Sequence, residues 1–244
     1  MRRIALAALA LSTAAAAAAP AAIEVAAFSR LAPGDDLPSA WREVTLPRID
    51  RKTAYTLDTG DGVTALRARA DDSMSSLARS IAIDPATHPR LRWRWRVENL
   101  VETSDLRSKD GDDFPARLYV LFDYDLGRLP FLQRTKLRLA RALYGGDLPV
   151  AALCYVWATG EPAGTTAWNA YTDRVRMIVV ESGAGKLGRW VEFERDVAED
   201  FREAFGEEPP MVNGVAIATD TDNTGERAVA WHGDIVFLPA GTGQ

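Results

Sequence analysis

Cysteine is nearly absent from this chain of 244 residues, which also has only two histidines. A single Cys154 cannot form an intramolecular disulfide, and without a C-x-x-C pair the sequence has no zinc or dithiol redox motif. Basic residues are not in excess, because 29 Lys and Arg face 34 Asp and Glu. This acidic balance argues against nucleic-acid binding. With 47% hydrophobic residues, the composition is typical of a globular protein with one sizeable core.

Long apolar runs are confined to the N-terminus. Arg2 and Arg3 precede an apolar run over 4–19, and Ala19-Pro20-Ala21 fits the small-x-small pattern of a cleavage site. The run is too short and too rich in alanine to span a membrane stably. We therefore expect a Sec-type signal peptide over 1–21 and an exported protein, periplasmic or secreted, with no transmembrane segment in the mature chain. Without Arg2 and Arg3, 27 basic and 34 acidic residues remain, a net charge of −7.

Helical periodicity is scarce after the leader. Short runs of alternating polar and apolar residues recur instead, separated by Gly, Pro, Asp and Asn. About eleven such runs predict a single all-β domain over 22–244, a jelly-roll-like two-sheet β-sandwich. The runs are 24–28, 53–58, 63–70, 77–83, 91–97, 117–123, 151–158, 174–181, 190–197, 212–219 and 228–238. Two segments favour helices, a basic insert at about 129–144 and a short helix at about 199–205.

The run over 91–97 shows the clearest side-chain geometry. In a strand, Trp93 and Trp95 point to one face while Arg92, Arg94 and Arg96 point to the other. The run over 190–197 carries a complementary row of acids on one face. If these strands pair, the arginines face carboxylates across the ladder; otherwise part of the row is available to an anionic ligand.

Acidic residues gather in two loops at strand ends, over 109–113 and 220–226. Oxygen-rich loops suit a hard cation such as calcium, although Trp231 stands where an EF-hand has its bidentate glutamate. The alternative is a pair of polar turns that satisfy their own backbone groups. We expect the two loops to lie close together, with Arg117 nearby to balance their charge. The candidate metal ligands are Asp110, Asp112, Asp220, Asp222 and Glu226.

Aromatic residues near loops add a second kind of binding group, because sugar rings stack on exposed aromatic faces. Trp41, Trp157, Trp168 and Tyr171 lie in or beside predicted loops, although large sandwich cores also use tryptophan. Together with the acidic loops they predict a binding module for a carbohydrate or another polar cell-envelope ligand. The candidate ligand-binding residues are Asp112, Asp113, Arg117, Asp220, Asp222, Asn223, Trp168 and Tyr171.

Other motifs support alternatives less well. Paired carboxylates from the same loops support an alternative function, that of an envelope-polysaccharide hydrolase or lyase. Such an enzyme needs an acid and a second carboxylate across the scissile bond. The glycines of 183–188 match G-x-G-x-x-G, but a predicted strand follows them where a dinucleotide site needs a helix. His232 lacks a nucleophile partner, because no G-x-S-x-G elbow is present. We expect His232 to be structural.

The basic insert carries an unusual concentration of positive charge for an acidic protein. Its cations, with one that precedes it, are Arg128, Arg134, Lys136, Arg138 and Arg141. Such a segment is either a solvated helix face or a docking surface for an acidic protein or an anionic envelope ligand.

Three motifs carry a family resemblance. They are the run over 91–97, the acidic loop over 109–113 leading into 116–120, and the stretch over 215–226 with the run 231–237 after it. Together they resemble the bacterial domain-of-unknown-function family 3047 across nearly the whole mature chain. The resemblance implies an exported β-sandwich protein and supplies no catalytic residue. The chain also looks distantly similar to galactose-binding-like jelly rolls that act as carbohydrate-binding modules.

Overall fold

The structure is a computed structural model, and it describes residues 21–47, 49–131, 134–135 and 150–241. Residues 1–20 of the predicted signal peptide and most of the predicted helix at about 129–144 lie outside the described residues. The described part forms two sheets, with one α-helix that is described over its whole length, so the predicted two-sheet β-sandwich is confirmed.

The first sheet has six strands. They are β1 (Ile23–Ala26), β3 (Ala54–Gly60), β4 (Val63–Asp71), β6 (Arg90–Val97), β11 (Val191–Asp196) and β13 (Arg227–Leu238). Their order is β11-β6-β13-β4-β3, and β1 also pairs with β13. Every pair in this sheet is antiparallel.

The second sheet has seven strands. They are β2 (Trp41–Val44), β5 (Ser76–Ile83), β7 (Arg117–Phe122), β8 (Ala152–Ala158), β9 (Thr166–Asn169), β10 (Thr172–Ser182) and β12 (Val212–Ala218). Their order is β2-β5-β12-β7-β8-β10-β9, and only the β8–β10 pair among them is parallel. The helix α1 (Val197–Phe205) follows β11; the Asp196 side chain caps its start, and Gly206 ends it in the left-handed conformation.

The main core lies between the two sheets and is rich in aromatic rings. Trp93 and Trp95 of β6 are buried, and the Trp93 ring lies 5.0 Å from Tyr155 of β8 and 5.4 Å from Phe193 of β11. Each buried side chain of this size contributes about 1.5–3 kcal/mol through the apolar surface it removes from water. Alternation along β6 is thus what directs these rings into the core.

Strands β6 and β11 pair, which is the first of the two alternatives left open by the sequence. Arg94 lies opposite Glu192, and Arg92 lies opposite Glu194. The ion pair that forms on this ladder, however, joins Glu194 to the neighbouring Arg90 at 3.1 Å. Both partners are well exposed, so such a bond contributes at most about 1 kcal/mol.

Pairing of β7 with β12 brings the two acidic loops to the same edge of the second sheet. The two strands are antiparallel, and Arg117 at the start of β7 lies opposite Ala218 at the end of β12. The loop before β7 also packs against the sheet face that points away from the main core, where Leu106 and Phe114 cluster with Cys154 and Met177. This packing holds the first acidic loop over the sheet.

A 3-10 turn, Ala184–Lys186, links β10 to β11, so the glycine motif over 183–188 forms a turn between strands. Strands β2 and β9, of four residues each, fall outside the predicted runs. In the described residues, none of the helices has the length and apolar content needed to span a membrane.

Candidate functional site

Arg117 occupies the centre of the candidate site. Its Nε and Nη2 atoms donate to the two carboxylate oxygens of Asp220 at 2.8 Å each, and Nη1 donates to Asp112 Oδ1 at 3.1 Å. Nη1 also lies 3.3 Å from the Tyr119 hydroxyl, and the guanidinium stacks on Phe114. Burial raises the pKa of Asp220, and Arg117 opposes this rise by stabilising the charged form. The buried cation therefore compensates part of the charge of two buried acids.

Asp113 joins the two acidic loops. Its Oδ2 accepts hydrogen bonds from the backbone N–H groups of Asn223 at 2.9 Å and Thr224 at 2.7 Å, and its Oδ1 accepts from Asn223 Nδ2 at 3.0 Å. Asp113 is fully buried. A buried carboxylate bound to backbone donors fixes the loop that supplies them, so Asp113 holds the 220–226 loop in place.

Gly111 explains how the first loop turns so tightly. A Cβ atom at this position would lie 2.8 Å from the backbone N of Asp105 and 2.8 Å from the carbonyl of Thr103, closer than real contacts allow. The Gly111 carbonyl accepts hydrogen bonds from Asp105 N and Asp113 N, both at 2.8 Å. Only glycine permits this approach, which directs the following aspartates inward.

An exposed aromatic ring lies at the rim of the site. Tyr171, in the turn between β9 and β10, is 57% exposed, and its hydroxyl donates to Asn223 Oδ1 at 2.8 Å. Asn169, two residues earlier, donates from Nδ2 to Asp112 Oδ2 at 2.7 Å. The Lys109 ammonium lies 5.1 Å from the Tyr171 ring centre. We call Asn169, Tyr171, Asn223 and Lys109 the tyrosine rim.

Asp222 is the carboxylate of this site that is least engaged. One oxygen each of Asp113, Asp220 and Asp222 lies within 4.8 Å of the others. Burial, and then the charge of Asp113, raise the pKa of Asp222 to about 6. Its side chain has no hydrogen-bond donor from another described residue, in contrast with Asp113 and Asp220. We call Asp112, Asp113, Asp220 and Asp222 the acidic cluster.

The structure thus brings together most of the predicted site residues. Those that meet are Asp112, Asp113, Arg117, Asp220, Asp222, Asn223 and Tyr171. The two loops lie side by side and Arg117 lies between their acids, as expected. Asp110 is exposed in the same loop and is close enough to raise the pKa of Tyr171 electrostatically, although burial is the larger cause.

Two predicted site residues lie elsewhere. The Glu226 carboxylate accepts hydrogen bonds from the backbone N–H groups of Glu102 at 2.8 Å and Thr103 at 3.0 Å, and from Thr103 Oγ1 at 2.7 Å. It fastens a separate part of the loop before β7, and the group of three close carboxylates includes Asp113 in its place. Trp168 packs against Phe205 and Arg176, on the other face of β9 from Asn169.

The other aromatic candidates are core residues. Trp41 of β2 and Trp157 of β8 are both buried, so neither ring is available for stacking on a ligand. His232 is also buried, with its Nε2 atom 3.4 Å from Thr219 Oγ1, in keeping with a structural role.

Sequence reasoning missed Asn169 and the contact of Lys109 with Tyr171. Asn169 ends a strand of four residues that the pattern did not show, and its partner Asp112 is 57 residues away. The only local signal for Asn169 is the general preference of asparagine for turns. Nothing in the local sequence indicates which acid it meets.

Fold and site together define a two-sheet β-sandwich protein with a buried arginine–aspartate network under an exposed polar rim. The chain belongs to the family described as Protein of unknown function (DUF3047), whose profile matches residues 39–236. No curated protein matches the sequence.

Two solved structures show a limited likeness to the chain and have little sequence in common with it. The K2 cleaved adhesin domain of Lys-gingipain (Kgp) is 10% identical with a TM-score of 0.40, covering 89% of this chain and 99% of that domain. The Spr0440 glycoside hydrolase domain, Endo-D from Streptococcus pneumoniae R6, is 10% identical with a TM-score of 0.33, covering 80% of this chain and 21% of that one.

Proposed function

We propose that the protein is an exported binding protein that takes a carbohydrate, or another polar ligand of the cell envelope, at the tyrosine rim. The observation that carries this proposal is the exposed Tyr171 ring, held by its hydroxyl on Asn223 directly beside the acidic cluster. An aromatic face next to fixed amide and carboxylate groups offers what a sugar needs, an apolar surface for the ring and donors and acceptors for its hydroxyls.

The arrangement of the rim supports binding by groups that are held in place before the ligand arrives. Asn169 is oriented by Asp112, and Asn223 is oriented by Asp113 and Tyr171. Side chains fixed by their neighbours lose little entropy when they bind. Asp222 adds a hydrogen-bond acceptor that a ligand can use without first displacing a donor of the protein.

The side chain of Lys109 limits access of a ligand to the Tyr171 ring. Its ammonium occupies one face of Tyr171 and is exposed, with no ion pair to a described residue. A sugar that stacks on this face has to displace the lysine, which loses a cation–π contact of about 0.5–1 kcal/mol. Removing the Lys109 side chain is therefore expected to strengthen binding.

A divalent cation is a second part of the proposal. Three carboxylates with oxygens within 4.8 Å of one another form a hard donor set of the kind that calcium prefers. Arg117 competes with such an ion, because it already pairs with Asp220. Asp113 and Asp222 are therefore the carboxylates that would contribute most to holding calcium, which would brace the 220–226 loop.

A hydrolase or lyase is the alternative supported by one observation, the pKa of about 6 at Asp222. A carboxyl group with a pKa near 6 is protonated in mildly acidic solution, where it can serve as a general acid. The second carboxylate is the weak point of this alternative, because Asp113 and Asp112 are both bound by donors from the protein. Docking through the basic insert remains a third proposal.

The test is a glycan array with the mature protein, followed by titration of the strongest hit. We expect Asp222→Asn to lose at least about tenfold in affinity, since a hydrogen bond to a charged group is worth about 1.5–3 kcal/mol. Tyr171→Ala should also weaken binding, because it removes the aromatic face on which the sugar stacks. Trp168→Ala, an aromatic on the other face of β9, and Asp36→Asn, an exposed acid elsewhere, are the matched controls. Release of reducing ends or unsaturated sugars, abolished by Asp222→Asn, would favour the enzyme instead.

A further inference from the structure

A cavity of about 230 Å³ lies on the other side of the edge strand β9 from the tyrosine rim. Thr166 of β9, Arg176 of β10, Arg195 of β11 and two acids of α1, Asp200 and Glu203, line it. Side chains alternate along a strand, so Asn169 faces the acidic cluster while Thr166 and Trp168 face the cavity side. The cavity is therefore separate from the site proposed above, and the inference below does not depend on that proposal.

Two of the charged groups in the cavity satisfy each other. Arg195 donates to Asp200 through Nε at 3.0 Å and also through Nη2. Asp200 is buried and accepts a further hydrogen bond from the Tyr155 hydroxyl at 2.7 Å. The hydrogen bonds to Asp200 and, after partial burial, which lowers it, the charge of Asp200 raise the pKa of Arg195, so the guanidinium keeps its charge. This pair forms a fixed wall.

The other two charged groups of the cavity, Arg176 and Glu203, form no ion pair with a described residue. Arg176 donates from Nη2 to Thr166 Oγ1 at 2.5 Å and stacks on Trp168 at 5.0 Å, but it forms no ion pair with any described residue. Glu203 stands at the exposed side of the cavity; its charge contributes to the raised pKa of Arg195, but it has neither hydrogen bond nor ion pair within the described chain. Among the described residues, the cavity thus presents one cation and one anion that are not held in an ion pair and are available to a ligand.

We propose that this cavity binds a small zwitterion, a free α-amino acid, with its carboxylate on Arg176 and its ammonium on Glu203. A guanidinium held by a hydroxyl and an aromatic face is pre-organised for two parallel hydrogen bonds to a carboxylate. At about 30 Å³ for each water-sized group, the space accommodates roughly eight non-hydrogen atoms, the size of valine. Ile178 and Ala204 give an apolar wall for a small side chain.

The probes for the test are glycine, L-serine and L-valine, with isovalerate and isobutylamine as analogues that keep one charge of valine. Each is titrated into the ¹⁵N-labelled mature protein, and the amide signals of Gly164 and Thr166 are followed by NMR. We expect saturable shifts with at least one amino acid. Loss of either charge, in the analogue or through Arg176→Gln or Glu203→Gln, should weaken binding at least about tenfold.

Glu199→Gln is the matched control, because Glu199 is an exposed acid of the same helix outside the cavity lining and should leave the affinity unchanged. The proposal is overturned if none of the three amino acids shifts these signals at about 50 mM, which corresponds to a binding free energy weaker than about −2 kcal/mol. It is overturned equally if isovalerate binds as tightly as valine, which would make the cavity a simple anion site.

Discussion

The guanidinium of Arg117 and the carboxylate of Asp220 form a bidentate pair in which both bonds measure 2.8 Å. The side chains are 2% and 6% exposed. Removing one member of such a buried pair leaves the other charge without compensation and costs about 3–5 kcal/mol. Because Asp112 binds the same guanidinium, Arg117 stabilises both acidic loops at once.

We therefore expect Arg117→Met to lower the free energy of unfolding by at least about 3 kcal/mol. Arg117→Lys should also destabilise, because an ammonium cannot form the two parallel bonds to Asp220. Urea denaturation measures both. The control is Arg51→Met, since the exposed ion pairs of Arg51 with Asp71 and Asp72 should contribute less than about 1 kcal/mol. Equal losses at the two arginines would contradict the role given to Arg117.

Sequence patterns predicted the parts of the fold that depend on regular alternation. Trp93 and Trp95 alternate with arginines, and this alone assigns one face of β6 to the core. The meeting of the acidic loops was also predictable, because both flank strands that end on the same side of a closed sandwich. Arg117, the first residue of β7, could be placed near them for the same reason.

Contacts within the site could not be read from local sequence. Five residues over 109–113 include three aspartates, and only the close packing of Gly111 on the loop before it decides that Asp112 and Asp113 turn inward. Glu226 looked like a loop ligand but binds Thr103, which is 123 residues away. The partner of each loop carboxylate depends on how the loops pack on one another, and the alternation of polar and apolar residues carries no information about loop packing.

Protonation of Asp222 should make the stability of the protein depend on pH. Its pKa is raised to about 6, so the folded state holds a proton that the unfolded chain releases above pH 3.8. The contribution of this group to stability is present below pH 3.8 and is lost as the pH rises through about 6. Asp222→Asn, which cannot ionise, should gain in Tm relative to the native protein as the pH increases from 4 to 7, measured in EDTA. A constant Tm difference would rule out the raised pKa.

Calcium should stabilise the native protein if the acidic cluster holds it. A ligand present at about 100 times its Kd adds about 2.7 kcal/mol of stability. We expect Tm to rise on adding calcium after EDTA, and the rise to vanish in Asp222→Asn and below about pH 6, where Asp222 is protonated. Asp36→Asn should behave like the native protein. An unchanged Tm at millimolar calcium would remove the ion from the proposal.

The basic insert gives a prediction that depends on charge alone. If it docks an anionic surface, retention on anionic vesicles should weaken as salt passes about 0.15 M, where the Debye length is near 8 Å. Reversing Arg134, Arg138 and Arg141 to Glu should abolish retention and leave Tm nearly unchanged. Retention of the reversed variant at low salt would exclude this role.

His232 should make the fold sensitive to acid. Burial lowers its pKa from 6.5 to about 3, and its Nδ1 atom has no hydrogen-bond partner, so the folded state keeps the ring neutral. The unfolded chain binds a proton below pH 6.5, and stability is therefore lost as the pH falls from 6.5 towards about 3, by up to about 1.4 kcal/mol for each pH unit. This dependence runs opposite to that of Asp222, so the two are separable by substitution. His232→Leu should flatten the fall in stability between pH 6 and 4 while leaving the slope above pH 7 unchanged, as urea denaturation at each pH would measure. A variant whose stability falls as steeply as that of the native protein would show that other groups account for the acid sensitivity.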